Sequence, residues 1–182
     1  MAVLIKEGST LQIGLGTILA AVLRALKRHC DLGIHSGRIG DQVVDLAEAG
    51  VPTNARKPVD RGCSVSALLS GGPRLMKWAD GNATLRVRPT SYTHDFAVLS
   101  SIDRFVAINS AIEVDLTGQI NAFLRGAHAS RCGSPIVALP STAGGRSRIV
   151  ASLSGPTSTS RPDAGLIVTE HGVADRHGLR RR

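Results

Sequence analysis

An asparagine followed by two acids forms the most informative polar stretch of the chain. Asn109 ends an apolar run, and Glu113 and Asp115 follow it in the segment NSAIEVD. An amide at the end of a strand can donate a hydrogen bond to a developing oxyanion. The acids are two residues apart and would share one face of an extended segment. Asn109 and Glu113 are therefore candidate catalytic residues, although the residues alone favour a hairpin whose acids face solvent or pair with arginines.

Two glycines, Gly14 and Gly16, lie where a predicted strand runs into a predicted helix. Ligands of open α/β sheets lie in such crevices, and free amides at a helix start favour anions. A dinucleotide fingerprint would need a third glycine where Leu19 stands, and the sequence has no P-loop motif. The pattern predicts either a loop that faces an anion or a tight turn that needs glycine for packing.

The run His35-Ser36-Gly37 follows a second predicted strand and lies at a similar edge. A serine beside a histidine suggests a nucleophile with its base. Neighbouring residues of a strand point to opposite faces, however, so these two side chains cannot pair with each other.

Metal and disulfide chemistry have little support in the sequence. The spacing of His171, Asp175 and His177 matches neither a helical i, i+4 pair nor a zinc pattern, so we expect no metal. Three cysteines without a CxxC pair are typical of small buried hydrophobes in a reducing cytoplasm. They are Cys30, Cys63 and Cys132.

Short strands alternate with helices along the chain. In Thr17 to Arg28 the apolar positions 18, 19, 22, 23 and 26 lie on one helix face, and Gly50 can end a helix over Asp41 to Ala49. Further helices are predicted near 74–79 and at 95–101. Strands are predicted at 10–14, 32–35, 64–69, 85–88, 105–109, 136–139, 148–153 and 166–169. This alternation predicts an α/β fold with an open, largely parallel sheet flanked by helices, and a β-hairpin near 109–122.

Length and composition indicate one sizeable soluble domain, or at most two small ones. The chain has 182 residues, of which 42% are hydrophobic and 20% charged, which excludes a disordered chain, a collagen-like fibre and a coiled coil. No apolar run approaches the roughly 20 residues that cross a bilayer. The amino terminus shows no leader pattern, so we expect no membrane partner.

The net charge of +8 comes mainly from arginine. Nucleic-acid binding is one interpretation, since phosphate neutralisation supplies most non-specific affinity. The arginines are scattered, however, and aromatic residues are only 3% of the chain, so no stacking platform is indicated. A small polyanionic ligand suits this charge equally well.

Several segments taken together resemble one family. In chain order they are GSTLQIGLGTI, DLGIHSGRIGDQVVDLAEAGV, RPTSYTHD, FVAINSAIEVDLTGQINA, FLRGA, IVALPSTAGG, SRIV and VTEHGVAD. The chain resembles the carboxyl-terminal half of the acetyl-CoA hydrolase/transferase family, which includes the 4-hydroxybutyrate and succinyl-CoA:acetate CoA-transferases. The resemblance runs from about Glu7 to Gly178, and NSAIEVDLTGQINA is its most specific piece.

The resemblance implies a CoA-transferase-like domain over residues 1–178, followed by a basic tail at 179–182. It also implies a cytoplasmic enzyme of two similar domains that acts as a dimer on acyl-CoA and a carboxylate, without a metal. In such relatives a glutamate attacks the thioester and forms an anhydride and then a glutamyl-CoA thioester. Asn109 matches an oxyanion donor of the family. We expect Gly14, Gly16, His35 and Gly37 to shape the cleft that faces coenzyme A.

The sequence departs from the family pattern at three places. Gly37 stands where the transferases carry the nucleophilic glutamate, so the anhydride cannot form through that residue. Ala122 runs directly into Phe123, where relatives carry a glycine-rich loop. The chain also stops soon after VTEHGVAD, in an arginine-rich end.

Three hypotheses follow. The first is an acyl-CoA hydrolase or CoA-transferase, truncated or divergent, that forms a homodimer or pairs with a separate amino-terminal half. The second is a CoA-binding module or remnant without activity. The third, a nucleic-acid binder, rests on charge alone, and we expect no nucleic-acid partner.

Overall fold

One large sheet organises the chain in the computed structural model, which describes residues 1–14, 16–122, 126–160 and 163–176. The strands of this sheet are β1 (Thr10–Ile13), β2 (Gly33–Ile39), β3 (Ser64–Leu69), β4 (Leu85–Val87), β5 (Phe105–Ser110), β7 (Ser134–Ala138), β11 (Leu166–Thr169) and β12 (Gly172–Asp175). These eight strands stand in the order β12-β11-β7-β5-β1-β2-β3-β4. The pairs are parallel from β11 to β4, and β11 pairs antiparallel with β12.

Helices follow the first strands and cover both faces of the sheet. They are α1 (Thr17–Ala25), α2 (Asp41–Glu48), α3 (Pro73–Ala79), α4 (Thr90–Thr93) and α5 (Phe96–Ser101). Gly50 has a φ of 71° after α2, and its amide donates to the Ala47 carbonyl at 3.0 Å. This left-handed cap confirms the end that the sequence predicted.

Two apolar cores lie on the two faces. The first packs α1 and α2 onto β1 and β2 through residues such as Leu19, Leu46, Leu11 and Ile34. The second packs α5 onto β5 and β7 through residues such as Leu99, Phe105 and Val137. The alternation of side chains along β5 accounts for this division, since Val106 and Ile108 face the first core and Phe105 and Ala107 the second.

The chain reverses its direction of travel across the sheet at β1. It moves from β1 through β2 and β3 to β4, and then returns to place β5 on the other side of β1. Loops therefore diverge above the carboxyl ends of β1 and β5, which is where ligands bind in open α/β sheets. This position is the first place to look for a site.

The predicted fold class is confirmed, and the predicted hairpin is small. Val114 and Ile120 form one antiparallel bridge, closed by a hydrogen bond from the Gly118 amide to the Asp115 carbonyl at 2.8 Å. Four strands of two residues each form two smaller sheets. In one, β6 (Val114–Asp115) pairs parallel with β10 (Ile149–Val150), and in the other, β8 (Thr142–Ala143) pairs antiparallel with β9 (Arg146–Ser147). The predicted strand at 148–153 is thus reduced to β10.

No helix among the described residues is long and apolar enough to span a bilayer. The predicted basic tail at 179–182 lies outside the described residues.

Candidate functional site

Asn109 and Gly14 meet at the carboxyl ends of β5 and β1. The Gly14 amide donates to the Ile108 carbonyl at 2.8 Å, which places Gly14 beside Asn109. A Cβ built on Gly14 would overlap the Asn109 carboxamide and lie 2.7 Å from its Cγ. Gly14 is therefore required by close packing, and the half-buried amide of Asn109 lies over the turn that precedes α1.

Gly37 continues the same row on the next strand. The pairing of β1 with β2 sets Thr10 opposite Gly33 and Leu11 opposite Ile34, and the Ser36 hydroxyl still bonds the Ile13 backbone further along. Continued past the end of β1, this register brings Gly14 level with Gly37. A Cβ on Gly37 would overlap the imidazole of His94 and lie 2.8 Å from its Nε2. The two side chains, Asn109 and His94, thus lie over neighbouring glycines at one edge of the sheet.

His35 and Ser36 point to opposite sides of β2, as predicted. His35 is fully buried between the rings of Tyr92 and Phe105, at centroid distances of 5.9 and 6.4 Å. Ser36 lies against β1, where its hydroxyl accepts from the Ile13 amide at 3.2 Å and donates to the Arg38 carbonyl at 2.7 Å. His35 has no exposed surface to offer a ligand, so any effect of it on a ligand is indirect.

A buried polar cluster surrounds His35 beneath the row of glycines. The Lys57 ammonium donates to the carbonyls of Ile34 and Cys63 at 3.0 and 2.7 Å. Burial lowers the pKa of Lys57 to about 8. Burial, together with the Lys57 charge, lowers the pKa of His35 to about 4, so His35 is neutral at physiological pH.

The cluster also contains an acid. The Tyr92 hydroxyl donates to the Asp60 carboxylate at 2.6 Å. Burial alone would raise the pKa of Asp60, but this hydrogen bond and the charges of Lys57 and Arg88 hold it below its usual range. Asp60 is therefore ionised and holds Tyr92 against His35.

A cavity of ≈ 330 Å³ opens beside the glycine row, on the side of α1 and α2. Gly14, Gly16 and Thr17 line one wall, and Arg38 and Gln42 line the other. The first turns of both helices reach it, and no described side chain caps either of them. Amides at helix starts together with a guanidinium make this cavity suited to an anion.

The Arg38 guanidinium has one nitrogen that forms a hydrogen bond and one buried nitrogen that forms none within the described residues. Its Nη2 donates to the Ser70 carbonyl at 3.2 Å, while its Nε is buried without a hydrogen-bond partner in the described part of the chain. The Asp41 carboxylate accepts from the Gly72 amide at 2.9 Å, and within the described residues it forms no ion pair with Arg38.

Glu113 and Asp115 make local contacts in the hairpin region. The Glu113 carboxylate accepts from the amide and the hydroxyl of Ser154 at 2.9 and 2.8 Å, and these bonds lower its pKa. Asp115 accepts from the amides of Thr117 and Gln119 at 2.8 and 2.9 Å. The structure therefore binds the Glu113 carboxylate to the loop at Ser154, and Asp115 closes the turn.

Two features singled out in the sequence fall partly outside the described residues. The junction of Ala122 with Phe123 lacks Phe123, and the group of His171, Asp175 and His177 lacks His177. His171 lies 3.6 Å from the Glu170 carboxylate, and its side chain is exposed. Among the described residues, no three His, Cys, Asp or Glu side chains are grouped so as to hold a metal ion.

Comparison with known proteins identifies the family. A family model described as the acetyl-CoA hydrolase/transferase C-terminal domain matches residues 71–182, more than half of the chain. The chain belongs to this family. The resemblance seen in the sequence segments is thereby confirmed.

Relatives within the acetyl-CoA hydrolase/transferase family match almost the whole chain. The 4-hydroxybutyrate coenzyme A transferase of Clostridium kluyveri is 38% identical, over 97% of this chain and 46% of the relative. The butyryl-CoA:acetate CoA-transferase of Anaerostipes caccae is 36% identical, over 96% of this chain and 45% of the relative. The chain thus spans about half the length of the curated relatives that it matches.

Solved structures of similar proteins share the fold. RipA from Yersinia pestis superposes with a TM-score of 0.94 at 38% identity, over 98% of this chain and 44% of that protein. The 4-hydroxybutyrate CoA-transferase of Porphyromonas gingivalis gives 0.91 at 40% identity, over 98% of this chain and 46% of that protein. The α/β fold is therefore that of CoA-transferases.

Sequence reasoning missed several residues of this region. His94 lies in the segment RPTSYTHD, which carried the family resemblance without a role for its histidine. Arg38 and Lys57 stood among scattered basic residues, and no periodicity distinguished them. The contact of His94 with Gly37, the hydrogen bond from Lys57 to Ile34 and that from Arg38 to Ser70 reveal these three side chains, and none of these contacts is local in sequence.

Proposed function

We propose that this chain binds an acyl-CoA at the carboxyl ends of β1, β2 and β5 and takes part in thioester chemistry there. The observation that carries the proposal is the position of Asn109, whose carboxamide lies over Gly14 at the point where the chain reverses across the sheet. A fixed amide at this place can donate to the thioester oxygen as it becomes negative. Family membership supports acyl-CoA as the substrate class.

The adjacent cavity supplies the binding chemistry. Coenzyme A carries phosphates, and the cavity presents the starts of α1 and α2 together with Arg38. The net charge of +8 favours approach of a polyanion. In this proposal Gly14 and Gly16 line the cavity that faces coenzyme A. Gly14 and Gly37 make room for the side chains of Asn109 and His94 at its edge, and His35 supports the row from beneath.

Glu113 has a positioning role in this proposal. Its carboxylate fastens the segment at Ser154 to the hairpin that follows Asn109. The hairpin and the end of β5 are continuous in sequence, so this contact limits the freedom of the loop that leaves Asn109.

A second function is favoured by one specific observation. The row of residues across β2, β1 and β5 is Gly37, Gly14 and Asn109, and it offers no carboxylate to form an acyl-enzyme. The chain would then be a CoA-binding module without turnover of its own. Either function is compatible with a homodimer or with pairing to a chain that supplies the amino-terminal half.

The proposed compartment is the cytoplasm. Cys30, Cys63 and Cys132 are all unpaired, and two of them are exposed. Exposed free thiols are typical of a reducing environment.

A binding and turnover experiment tests the proposal. The purified chain is titrated with coenzyme A by calorimetry and then incubated with acetyl-CoA, with and without acetate, propionate or succinate. We expect micromolar binding, and thioester loss that falls by about 100-fold or more in Asn109→Ala. Binding without turnover, alone or with a supplied amino-terminal half, selects the CoA-binding module. Absence of both binding and turnover refutes both functions.

A further inference from the structure

Three arginines line a cavity at the amino-terminal edge of the large sheet, opposite to the edge that carries Asn109. The cavity measures ≈ 220 Å³, and its lining residues are Gly8, Arg56, Asp103, Arg104, Arg131 and Cys132. Gly8 precedes β1, Arg104 precedes β5 and Arg131 precedes β7. These three strands are parallel neighbours, so their starts meet at one edge. Asn109 is five residues beyond Arg104 along β5, which places the two edges about 16 Å apart.

Backbone and packing contacts hold these arginines in place. The Arg104 amide donates to the Arg131 carbonyl at 2.8 Å, which joins the segments before β5 and β7. The Arg104 guanidinium donates through Nη1 to the Glu7 carbonyl at 3.2 Å, which joins it to the segment before β1. A Cβ built on Gly8 would lie 2.5 Å from Arg56 Cδ, so the Arg56 side chain packs over Gly8 in space that only glycine leaves open. All three arginines are thus positioned at one cavity.

The lining of this cavity carries more positive than negative charge. Three guanidiniums stand against one carboxylate, that of Asp103. Arg131 donates to this carboxylate through Nε at 3.0 Å, and this hydrogen bond, with the charges of Arg131 and Arg104, lowers the pKa of Asp103. One ionised carboxylate thus offsets two guanidiniums only in part. Asp31 pairs with Arg56 at 3.5 Å, but both side chains are exposed, so water screens this pair.

The chemistry of the lining matches a phosphoryl group. A phosphate monoester carries nearly two negative charges at neutral pH and three acceptor oxygens. The lining has an excess of two positive charges, three from arginine less one from Asp103. Guanidiniums bind phosphate oxygens in bidentate pairs. The volume of ≈ 220 Å³ holds a phosphoryl group with a small organic part, and no aromatic side chain among the described lining residues is placed to stack a nucleobase.

We propose that this cavity, called the arginine cavity below, binds the phosphoryl group of a small phosphorylated molecule, at a second site that does not depend on acyl-CoA. Arg56 and Arg104 donate to the phosphoryl oxygens, and Arg131 contributes its charge while it keeps its bond to Asp103. Asp103 is the lining group that opposes an anion, so its charge sets how tightly the phosphoryl group is held.

The experiment titrates the full chain with inorganic phosphate by calorimetry, at neutral pH and constant ionic strength. The titration is made in saturating coenzyme A and again in Arg38→Met, so that the cavity beside α1 and α2 does not contribute. We expect a Kd of about 1 mM or lower in both. In NMR spectra, the backbone amide resonances of Gly8 and Cys132 should shift as phosphate is added, because both residues line the arginine cavity.

Two variants of the arginine cavity should change the phosphate affinity in opposite directions. Arg104→Met removes a charged donor and should raise the Kd by about tenfold or more. Asp103→Asn keeps the shape of the side chain but removes the opposing charge, so it should lower the Kd severalfold. A variant that merely unfolds cannot bind more tightly, so Asp103→Asn tests the site whatever happens to Arg104→Met. The matched control is Arg146→Met, an exposed arginine of β9, which should leave the Kd unchanged.

The possible results separate this proposal from the proposed function. Equal phosphate affinities of folded Arg104→Met and Arg146→Met, or an Asp103→Asn variant that binds no more tightly than the parent, overturn the arginine cavity. Amide shifts that are confined to the residues around Arg38 overturn it as well. Phosphate binding as expected in a chain that does not bind coenzyme A supports the arginine cavity and refutes the proposed function. Coenzyme A binding without phosphate binding does the reverse.

Discussion

The carboxamide of Asn109 occupies the space over Gly14 that a side chain at that position would need. The contact joins the ends of β5 and β1, two strands that are adjacent in the sheet but far apart in sequence. The orientation of the Asn109 side-chain amide is thus set by the end of β1 as well as by β5, the strand that carries it. A change at Gly14 should act on the site through Asn109.

Gly14→Ala should displace the Asn109 side chain. The added methyl group would lie 2.7 Å from Asn109 Cγ and 3.2 Å from the Ile108 carbonyl oxygen, so the amide must move. We expect acetyl-CoA turnover to fall by about 100-fold and the side-chain amide resonances of Asn109 to shift in NMR spectra. Gly155→Ala is the control, because no atom lies within 4 Å of its added carbon. Unchanged resonances and rate would contradict the packing argument.

Arg38→Met should weaken coenzyme A binding. The variant keeps much of the apolar stem that lines the cavity but removes the charge beside the helix starts. The loss of a hydrogen bond to a charged ligand group predicts a Kd about tenfold higher or more by calorimetry. Arg146→Met removes an exposed arginine of β9 and should leave the Kd as it was. Equal affinities for the two variants would exclude the cavity as the phosphate site.

Burial of His35 should make the fold less stable in mild acid. The folded pKa is about 4, below the ordinary value of 6.5, so the unfolded chain binds the extra proton as the pH falls from 6.5 to 4. Stability is therefore lost across that window, by about 3 kcal/mol at pH 4. Urea unfolding at several pH values measures it.

The control for this pH dependence is Lys57→Met, because the Lys57 charge helps to lower the pKa of His35. The groups that face His35 are Lys57, Asp60, His94 and Tyr92. Without the ammonium, the pKa of the His35 imidazole measured by NMR should rise. A His35 that titrates near 6.5 in the parent protein would refute the buried neutral state.

Glu113→Ala should free the segment at Ser154 and affect chemistry little. The carboxylate accepts two hydrogen bonds from Ser154, and their loss predicts faster hydrogen exchange of the Ser154 amide. Glu113→Gln keeps an acceptor oxygen, so in this variant the Ser154 amide should exchange at a rate between those of the parent protein and of Glu113→Ala. If Glu113→Ala instead abolishes turnover while the Ser154 amide stays protected, Glu113 acts on the substrate and not on the loop.

The fold was largely predictable because its signals are local. Apolar periodicity located α1, Gly50 marked the end of α2, and β-rich runs located β1, β3, β5 and β11. The hairpin was overestimated, since Gln119 to Ala122 contributes one bridge at Ile120 where a strand was expected. Its second partner is Thr159, a long-range contact that local patterns cannot show.

The candidate site was only half predictable. Family motifs pointed to Asn109, Gly14 and Gly37, which the structure places on one row. His94 directly follows a helix of four residues after β4, and its place over β2 depends on how the chain crosses the sheet. The burial of His35 also depends on rings from two other elements, α4 and β5.

The contact between His94 and Gly37 has an evolutionary consequence. Any residue larger than glycine at position 37 competes with the imidazole for one volume, so a change at Gly37 requires the ring of His94 to move or to be replaced. A single substitution that placed a longer side chain there would meet the ring before it met a substrate. Sequences that descend from this one should therefore carry a larger residue at position 37 only where position 94 has changed first.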